Sequence, residues 1–410
     1  MLTGRMKPAI LILMLVMING PARADASSKN NESRDEAKEP WQPPFVGGVR
    51  GPVLGVHYNG FVQIDGASYA NDASGEFEDG IIARRARLTF ARKIGKKWTI
   101  KGSAEFSQGD FEIKDLFGLY KGFSFGSIRI GSQKEPFSLQ NMTSSRFTTF
   151  MERGLIVDAL SPSRNIGVTL YSNRDKSTGA IGIFAGGFTK DNIQTTGTAL
   201  TGRLTRHFIN ADRHIFHAGF SASYRKLGST PPQFRSRPES GVNNIYMVDT
   251  GEIENAENVS RLGLEVAYAN NSVSLQGEYI VSRVGREPEL SSLRFDGWYL
   301  HGSWFLTGES RDYLAGTGTF GRTFPKSPFT FKHGGRGAWE LAARLSGADL
   351  TDRDVIGGKE SNLSLGLNWH LREYVVVMTN YIKVLDVDRQ GSVFDNNDMN
   401  IFQVRLQLEI

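Results

Sequence analysis

The chain has 410 residues, no cysteine, 46 glycines and a formal net charge of +5. Without cysteine there are no disulfides, no thiolate catalysis and no cysteine metal sites. A mean hydropathy of −0.31 argues against a bundle of membrane helices; a transmembrane barrel remains open, because only alternate residues of its strands face lipid.

Residues 1–24 read as a secretory signal. Arg5 and Lys7 form a basic start, Ala9 to Ile18 an apolar run, and Ala22-Arg23-Ala24 a cleavage site, so the mature chain is expected to begin at Asp25. The apolar run is too short to span a membrane, which takes roughly 20 residues. Loss of the three cations Arg5, Lys7 and Arg23 lowers the formal charge from +5 to +2, and no nucleic-acid partner is implied. Residues 25–52 follow as a polar leader, of which 25–44 (DASSKNNESRDEAKEPWQPP) carries most of the charge. Residues 53–410 form one long series of alternating segments, expected to be a single barrel domain.

About 16 strands are expected, near 53–65, 81–93, 97–107, 111–122, 126–133, 165–173, 179–189, 198–208, 213–226, 260–270, 272–283, 295–307, 337–347, 361–371, 374–385 and 400–410. In the first, Val56, Tyr58, Val62 and Ile64 share one face while His57, Asn59, Gln63 and Asp65 share the other. In the last, Phe402, Val404, Leu406, Leu408 and Ile410 oppose Gln403, Arg405, Gln407 and Glu409. Such strands need lipid on one side and water on the other. The segments at 111–122 and 374–385 alternate poorly. Short connections follow even-numbered strands (94–97, 209–212, 270–271, 372–373), as periplasmic turns do; long ones follow odd-numbered strands (66–80, 134–164, 227–259, 348–360, 386–399), as outer loops do. The exception is 308–336, long but on the periplasmic side. The fold expected is therefore all-β, a 16-stranded antiparallel transmembrane barrel. A soluble sandwich or propeller would share the alternation; the signal segment, the Trp and Tyr near strand ends and the outward apolar faces on nearly every strand weigh against it.

No residue set resembles a catalytic kit. His214 and His217 lie three apart on a strand and so point to opposite faces, which disfavours metal ligation. The cations are more informative. Arg85, Arg87 and Lys93 share a face with Ala83, Thr89 and Ala91, against Ala86, Leu88, Phe90 and Ile94 on the other. Arg129, Arg203, Arg225, Arg261, Arg344 and Arg405 also fall on polar faces. In a narrow passage they would attract anions and repel cations; alternatively they pair along the wall with Glu105, Asp115, Glu265, Glu278 and Glu340. The connection at 134–164 is the third outer loop. Phe137, Leu139, Phe147, Phe150 and Met151 interleave there with Lys134, Arg146 and Arg153. So apolar a loop is expected to fold inward against the wall and narrow the pore, or to pack on a neighbour. Thr143, Ser144 and Ser145 would offer hydroxyls at such a constriction.

Five stretches carry a resemblance: ARRARLTF (83–90), IRIGSQKEPFSLQNMTSSRFTTFMERGL (128–155), GAWELAAR (337–344), LGLNWHL (365–371) and VRLQLEI (404–410). In order and spacing the chain resembles the phosphate-selective porins O and P. The resemblance implies a trimer of 16-stranded barrels in the outer membrane of a Gram-negative bacterium, with an inward-folded third loop. It implies arginines and a lysine that guide small anions, phosphate among them, by passive diffusion without cofactor or catalysis. It also implies tolerance of a long periplasmic connection before the GAWEL strand. By position, Arg84 and Arg85 match paired arginines of the second strand, Asp115 an acidic constriction residue, and Arg153 the arginine of the loop's ER pair. Three positions depart: Asn141 stands where the family has its loop lysine, Phe61 where it has an arginine, and Ile410 where barrels usually end in Phe. The pore-lining set expected is Arg84, Arg85, Arg87, Asp115, Arg129, Asn141, Thr143, Ser144, Ser145, Arg153 and Arg203. The rivals are a general diffusion, sugar or organic-acid porin of the same fold, and a non-conducting structural or enzymatic barrel.

Overall fold

The computed structural model describes residues 49–50, 56–107, 109–187, 197–211, 214–331 and 334–410. The signal segment and most of the leader lie outside the described residues. Sixteen long strands are present among those described: β1 Val56–Ala70, β2 Gly80–Ile94, β3 Trp98–Ser107, β4 Asp110–Phe123, β5 Gly126–Lys134, β6 Arg164–Arg174, β7 Ser177–Ala185, β8 Thr198–Ala211, β9 His214–Lys226, β10 Ala256–Asn270, β11 Val273–Arg286, β12 Leu293–Phe305, β13 Ala338–Asp352, β14 Val355–Arg372, β15 Val375–Asp388 and β16 Asn400–Glu409. Each pairs antiparallel with its sequence neighbours. β16 returns to β1, with Phe61 opposite Glu409 and Ala70 opposite Asn400, so the sheet closes and has no free edge.

Alternation gives each strand two surfaces. On β16, Gln403, Arg405 and Gln407 are buried on the inward face, while Phe402 is exposed on the outward one. Exposed large apolar residues recur around the wall, including Leu88, Phe90, Ile183, Leu204, Leu264 and Leu365. They form the band that meets lipid. Near the short-turn end, Trp339 and Trp369 face each other across β13 and β14 with stacked rings 5.0 Å apart. Close approach of strands also needs a glycine at one point. Gly131 has φ of 129°, and a Cβ there would lie 2.2 Å from the Leu116 carbonyl oxygen.

The structure corrects two expectations. The long loop at 348–360 does not exist: β13 and β14 continue past it and meet in a turn at Arg353–Asp354, with Arg353 at φ of 56°. Ala83 does not share the face of Arg85. The β1–β2 register passes from Gln63 opposite Arg85 to Ile64 opposite Ala83, so Arg84 is an extra, bulged residue. The bulge turns Ala83 outward and lets both arginines reach the same inward carboxylate. The poor alternation of β4 has a similar cause, a bulge at Lys114, compounded by Phe117 and Leu119 buried on the inward face beside Asp115.

The poor alternation of β15 has another origin. Its inward Val376 and Met378 cluster with Met151 of the 135–163 connection. A larger apolar cluster joins three parts of the chain. From the 135–163 connection come Phe137, Leu155, Ile156, Val157 and Leu160; from the 227–255 connection come Phe234, Val248 and Ile253; from the wall come Val259, Ile280, Val284, Phe295 and Tyr299. Full burial of such side chains is worth about 1.5–3 kcal/mol each. The 227–255 connection contains a two-stranded ribbon, Gln233–Ser236 with Val248–Glu252. The long connection between β12 and β13 runs from 306 to 337, at the end of the barrel with the short turns, and contains a small hairpin, Tyr313–Leu314 with Thr319–Phe320.

Candidate functional site

The 135–163 connection is fixed to the inward wall by polar groups at both ends. It contains two short helices, α1 Leu139–Met142 and α2 Leu155–Leu160. Ser138 caps α1, its hydroxyl accepting from the Asn141 N–H at 3.1 Å. The carboxylate of Glu278 on β11 accepts from the Leu139 and Gln140 N–H groups at 3.0 and 2.7 Å. Further along, Asn380 of β15 accepts from the Met151 N–H at 2.9 Å, and Asn368 of β14 donates to the Thr149 carbonyl at 2.8 Å.

The next anchor is ionic. Glu152 receives Arg84 at 3.0 and 3.1 Å, Arg85 at 3.2 and 3.4 Å, and Arg405 at 2.7 Å. Arg405 also makes a two-pronged pair with Asp65 at 2.7 and 2.6 Å. Burial alone would raise the Glu152 pKa; Arg84, Arg85 and Arg405 outweigh it and hold the carboxyl well below the ordinary range.

Between this connection and strands β1 to β6 lies a cavity of about 240 Å³. Eight cationic side chains line it: Arg85, Arg87, Lys101, Arg129, Lys134, Arg146, Arg153 and Arg164. Asp115 is the one carboxylate in that lining. Its two oxygens are shared by Lys101 at 3.3 Å and Arg164 at 2.9 Å. Glu105 pairs with Arg87 from behind, and Glu409 with Arg146 at 2.9 Å. Arg153 instead donates to backbone carbonyls of Gln140 at 3.1 Å and Thr143 at 3.3 Å. Lys134 donates to the Asn141 carbonyl. Carbonyl oxygens orient these two cations without neutralising them, so the lining keeps an excess of positive charge.

Most of the sequence-derived set falls here. Arg85, Arg87, Asp115, Arg129, Asn141, Ser144, Ser145 and Arg153 all line the cavity. Three do not. Arg84 is engaged by Glu152. Thr143 is buried and its hydroxyl caps α1 by donating to the Leu139 carbonyl at 2.8 Å. Arg203 pairs with Glu265 at 2.6 Å and holds the 306–337 connection through the Thr317 and Gly318 carbonyls at 3.2 and 2.7 Å. Of the acids named as wall partners, Glu105, Asp115 and Glu265 do pair with cations. Glu278 binds backbone N–H groups instead, and Glu340 accepts from Asn368 at 2.9 Å.

Sequence reasoning missed other liners. Lys101 lay on a polar face with Glu105 and could have been found there. Arg164 fell inside the expected loop, whereas it opens β6. Leu314, Thr317, Thr319 and Phe320 also line the cavity; they come from the hairpin of the 306–337 connection, whose position no local pattern encodes. Among the described residues, no group of three or more histidines and carboxylates could hold a metal ion.

Comparison with known proteins agrees with this architecture. A family model described as phosphate-selective porin O and P matches residues 55–410. Porin O of Pseudomonas aeruginosa is 24% identical, over 82% of this chain and 83% of its own. An uncharacterised protein of Caulobacter vibrioides is 26% identical, over 80% of this chain and 68% of its own. Among solved structures, the anion-selective porin from Comamonas acidovorans superposes with a TM-score of 0.56 at 15% identity, covering 87% of this chain and 99% of its own.

Proposed function

The chain belongs to the phosphate-selective porin O and P family and is an outer-membrane porin, and from this premise we propose that it passes small anions by passive diffusion through the cation-lined cavity. One observation carries the reading: eight cationic side chains and a single carboxylate form the lining. In a confined, low-dielectric passage such an excess concentrates anions and excludes cations.

The remaining parts of the proposal follow the anchors. The 135–163 connection is the inward-folded third loop, and α1 with its Ser144–Ser145 continuation sets the constriction. Arg85, Arg87, Arg129 and Arg153 guide the anion. Asp115 holds Lys101 and Arg164 in place rather than repelling the solute. Lys134 supplies the ammonium that Asn141 lacks: it comes from the end of β5, but its Nζ reaches the Asn141 carbonyl. Phosphate is thus among the admissible solutes. The protein is exported with cleavage of residues 1–24 and assembles as a homotrimer in lipid.

The test is the zero-current potential of the protein in planar bilayers across a potassium chloride gradient. The wild type should favour chloride, and Arg85→Ala with Arg87→Ala should move the potential toward the cation side. Unchanged potentials in the double variant would reject the arginine guide.

A further inference from the structure

We infer that the solute this cavity accepts best is a small organic anion, a carboxylate carrying an apolar or aromatic body, rather than a bare inorganic oxyanion. The inference rests on the anion-porin reading above and narrows its substrate class. Six apolar side chains share the lining with the cations: Phe61, Phe117, Met142, Phe147, Leu314 and Phe320. They are interleaved with the charges. Arg87 and Arg146 lie over the Phe61 ring at 5.5 and 5.4 Å, and Arg146 also over Phe147 at 4.9 Å. Lys101 and Arg129 lie over Phe117 at 5.6 and 4.3 Å. Half of the eight cations therefore stand against a ring.

This arrangement changes what the cations prefer. A ring against one face of a guanidinium keeps water from that face, while the in-plane N–H fork stays available to a carboxylate. A strongly hydrated oxyanion must be given donors on all sides in place of its water. The apolar part of the lining gives none. An organic carboxylate needs donors at one end only, which the Ser144 and Ser145 hydroxyls and those N–H groups of Arg87 and Arg146 that Glu105 and Glu409 do not take can supply. Its body then meets Met142, Phe147 and Leu314, which are only half-buried and open to the cavity. Burial of each methylene there should tighten binding by up to about 4-fold.

The test is block of chloride current in single channels of the full-length protein by acetate, butanoate, hexanoate and benzoate, with inorganic phosphate as reference. Half-blocking concentrations should fall along the aliphatic series, and benzoate should block below phosphate. Phe147→Ser and Leu314→Ser should flatten the series. A flat wild-type series, or phosphate as the tightest blocker, would overturn the inference while leaving an anion-selective porin. A series that stays equally steep in both variants would also overturn it, by removing this cavity from the effect. Loss of anion preference in the salt gradient would overturn the anion-porin reading itself, and this inference with it.

Discussion

Glu152 offers the sharpest test of how the loop is held. Replacing it by Gln keeps the volume and removes one charge. In the native protein its carboxylate is shared by three guanidinium groups, those of Arg84, Arg85 and Arg405. Arg405 retains Asp65, and Arg85 retains the Gln63 side-chain oxygen at 2.9 Å. Among the described residues, Arg84 keeps no other carboxylate in contact. Breaking a buried pair from one side costs about 3–5 kcal/mol; the Glu152 side chain is 14% exposed, which places the expected loss near the lower end, about 3 kcal/mol. Denaturant unfolding of the lipid-embedded protein should show that loss, and single-channel records should show added open-state noise as the loop loosens. The acid dependence has a defined sign. A carboxyl depressed in the folded state stabilises fully above its ordinary pKa, about 4.3, and loses that contribution as pH falls through the depressed value. The wild-type loop should therefore stay quiet down to about pH 4.3. Glu152→Gln with wild-type stability and wild-type noise would refute the anchoring argument.

Three other outcomes can be checked directly. Lys134→Met removes a charge-assisted donor from the cavity and should weaken block of chloride current by phosphate about 10-fold; unchanged block would remove Lys134 from the solute's path. Gly131→Ala forces a Cβ against the Leu116 carbonyl at a left-handed φ, at a cost of about 1–3 kcal/mol, readable as a lowered unfolding midpoint. Replacing Tyr313–Phe320 by a short Gly-Ser linker should raise single-channel conductance, because Leu314, Thr317, Thr319 and Phe320 wall one side of the cavity. Equal conductance would show that the ion path avoids the hairpin.

The wall was legible because each strand reports its two surroundings locally. Alternation at Phe402–Ile410 or Val56–Asp65 needs no knowledge of the rest of the chain, and strand number and closure followed from counting. The failures were local defects in that code. One extra residue at Arg84 reversed the face of Ala83, since a period of two cannot survive an insertion. The turn at Arg353–Asp354 was hidden because the strand ends around it carry Asp349, Asp352 and Lys359, which look like loop. Eight of the eleven residues expected at the pore line one cavity: Arg85, Arg87 and Arg129 because a cation on a polar face has few other places to go, Asn141, Ser144, Ser145 and Arg153 because they share one connection, and Asp115 at the position the resemblance marked. The other three are engaged elsewhere. Arg203 is taken by carbonyls from a segment more than a hundred residues away, and Thr143 by its own helix. The reach of Lys134 to Asn141 spans seven positions across a turn, which linear register cannot show.

The apolar filling on the inward wall has a consequence for assembly. β15 buries Val376, Met378, Ile382 and Val384 on one face while Val375, Val377 and Tyr381 look outward. With Thr379 and Lys383 as the polar residues on that outward face, a segment largely apolar on both sides carries little information about which side belongs to lipid. Asn380, bonded to Met151, is the single polar marker among those inward residues. Until the connecting segments cover that inward face, β15 is a sticky ribbon prone to slip by one residue or to join a foreign chain. Tube and contents must therefore mature together.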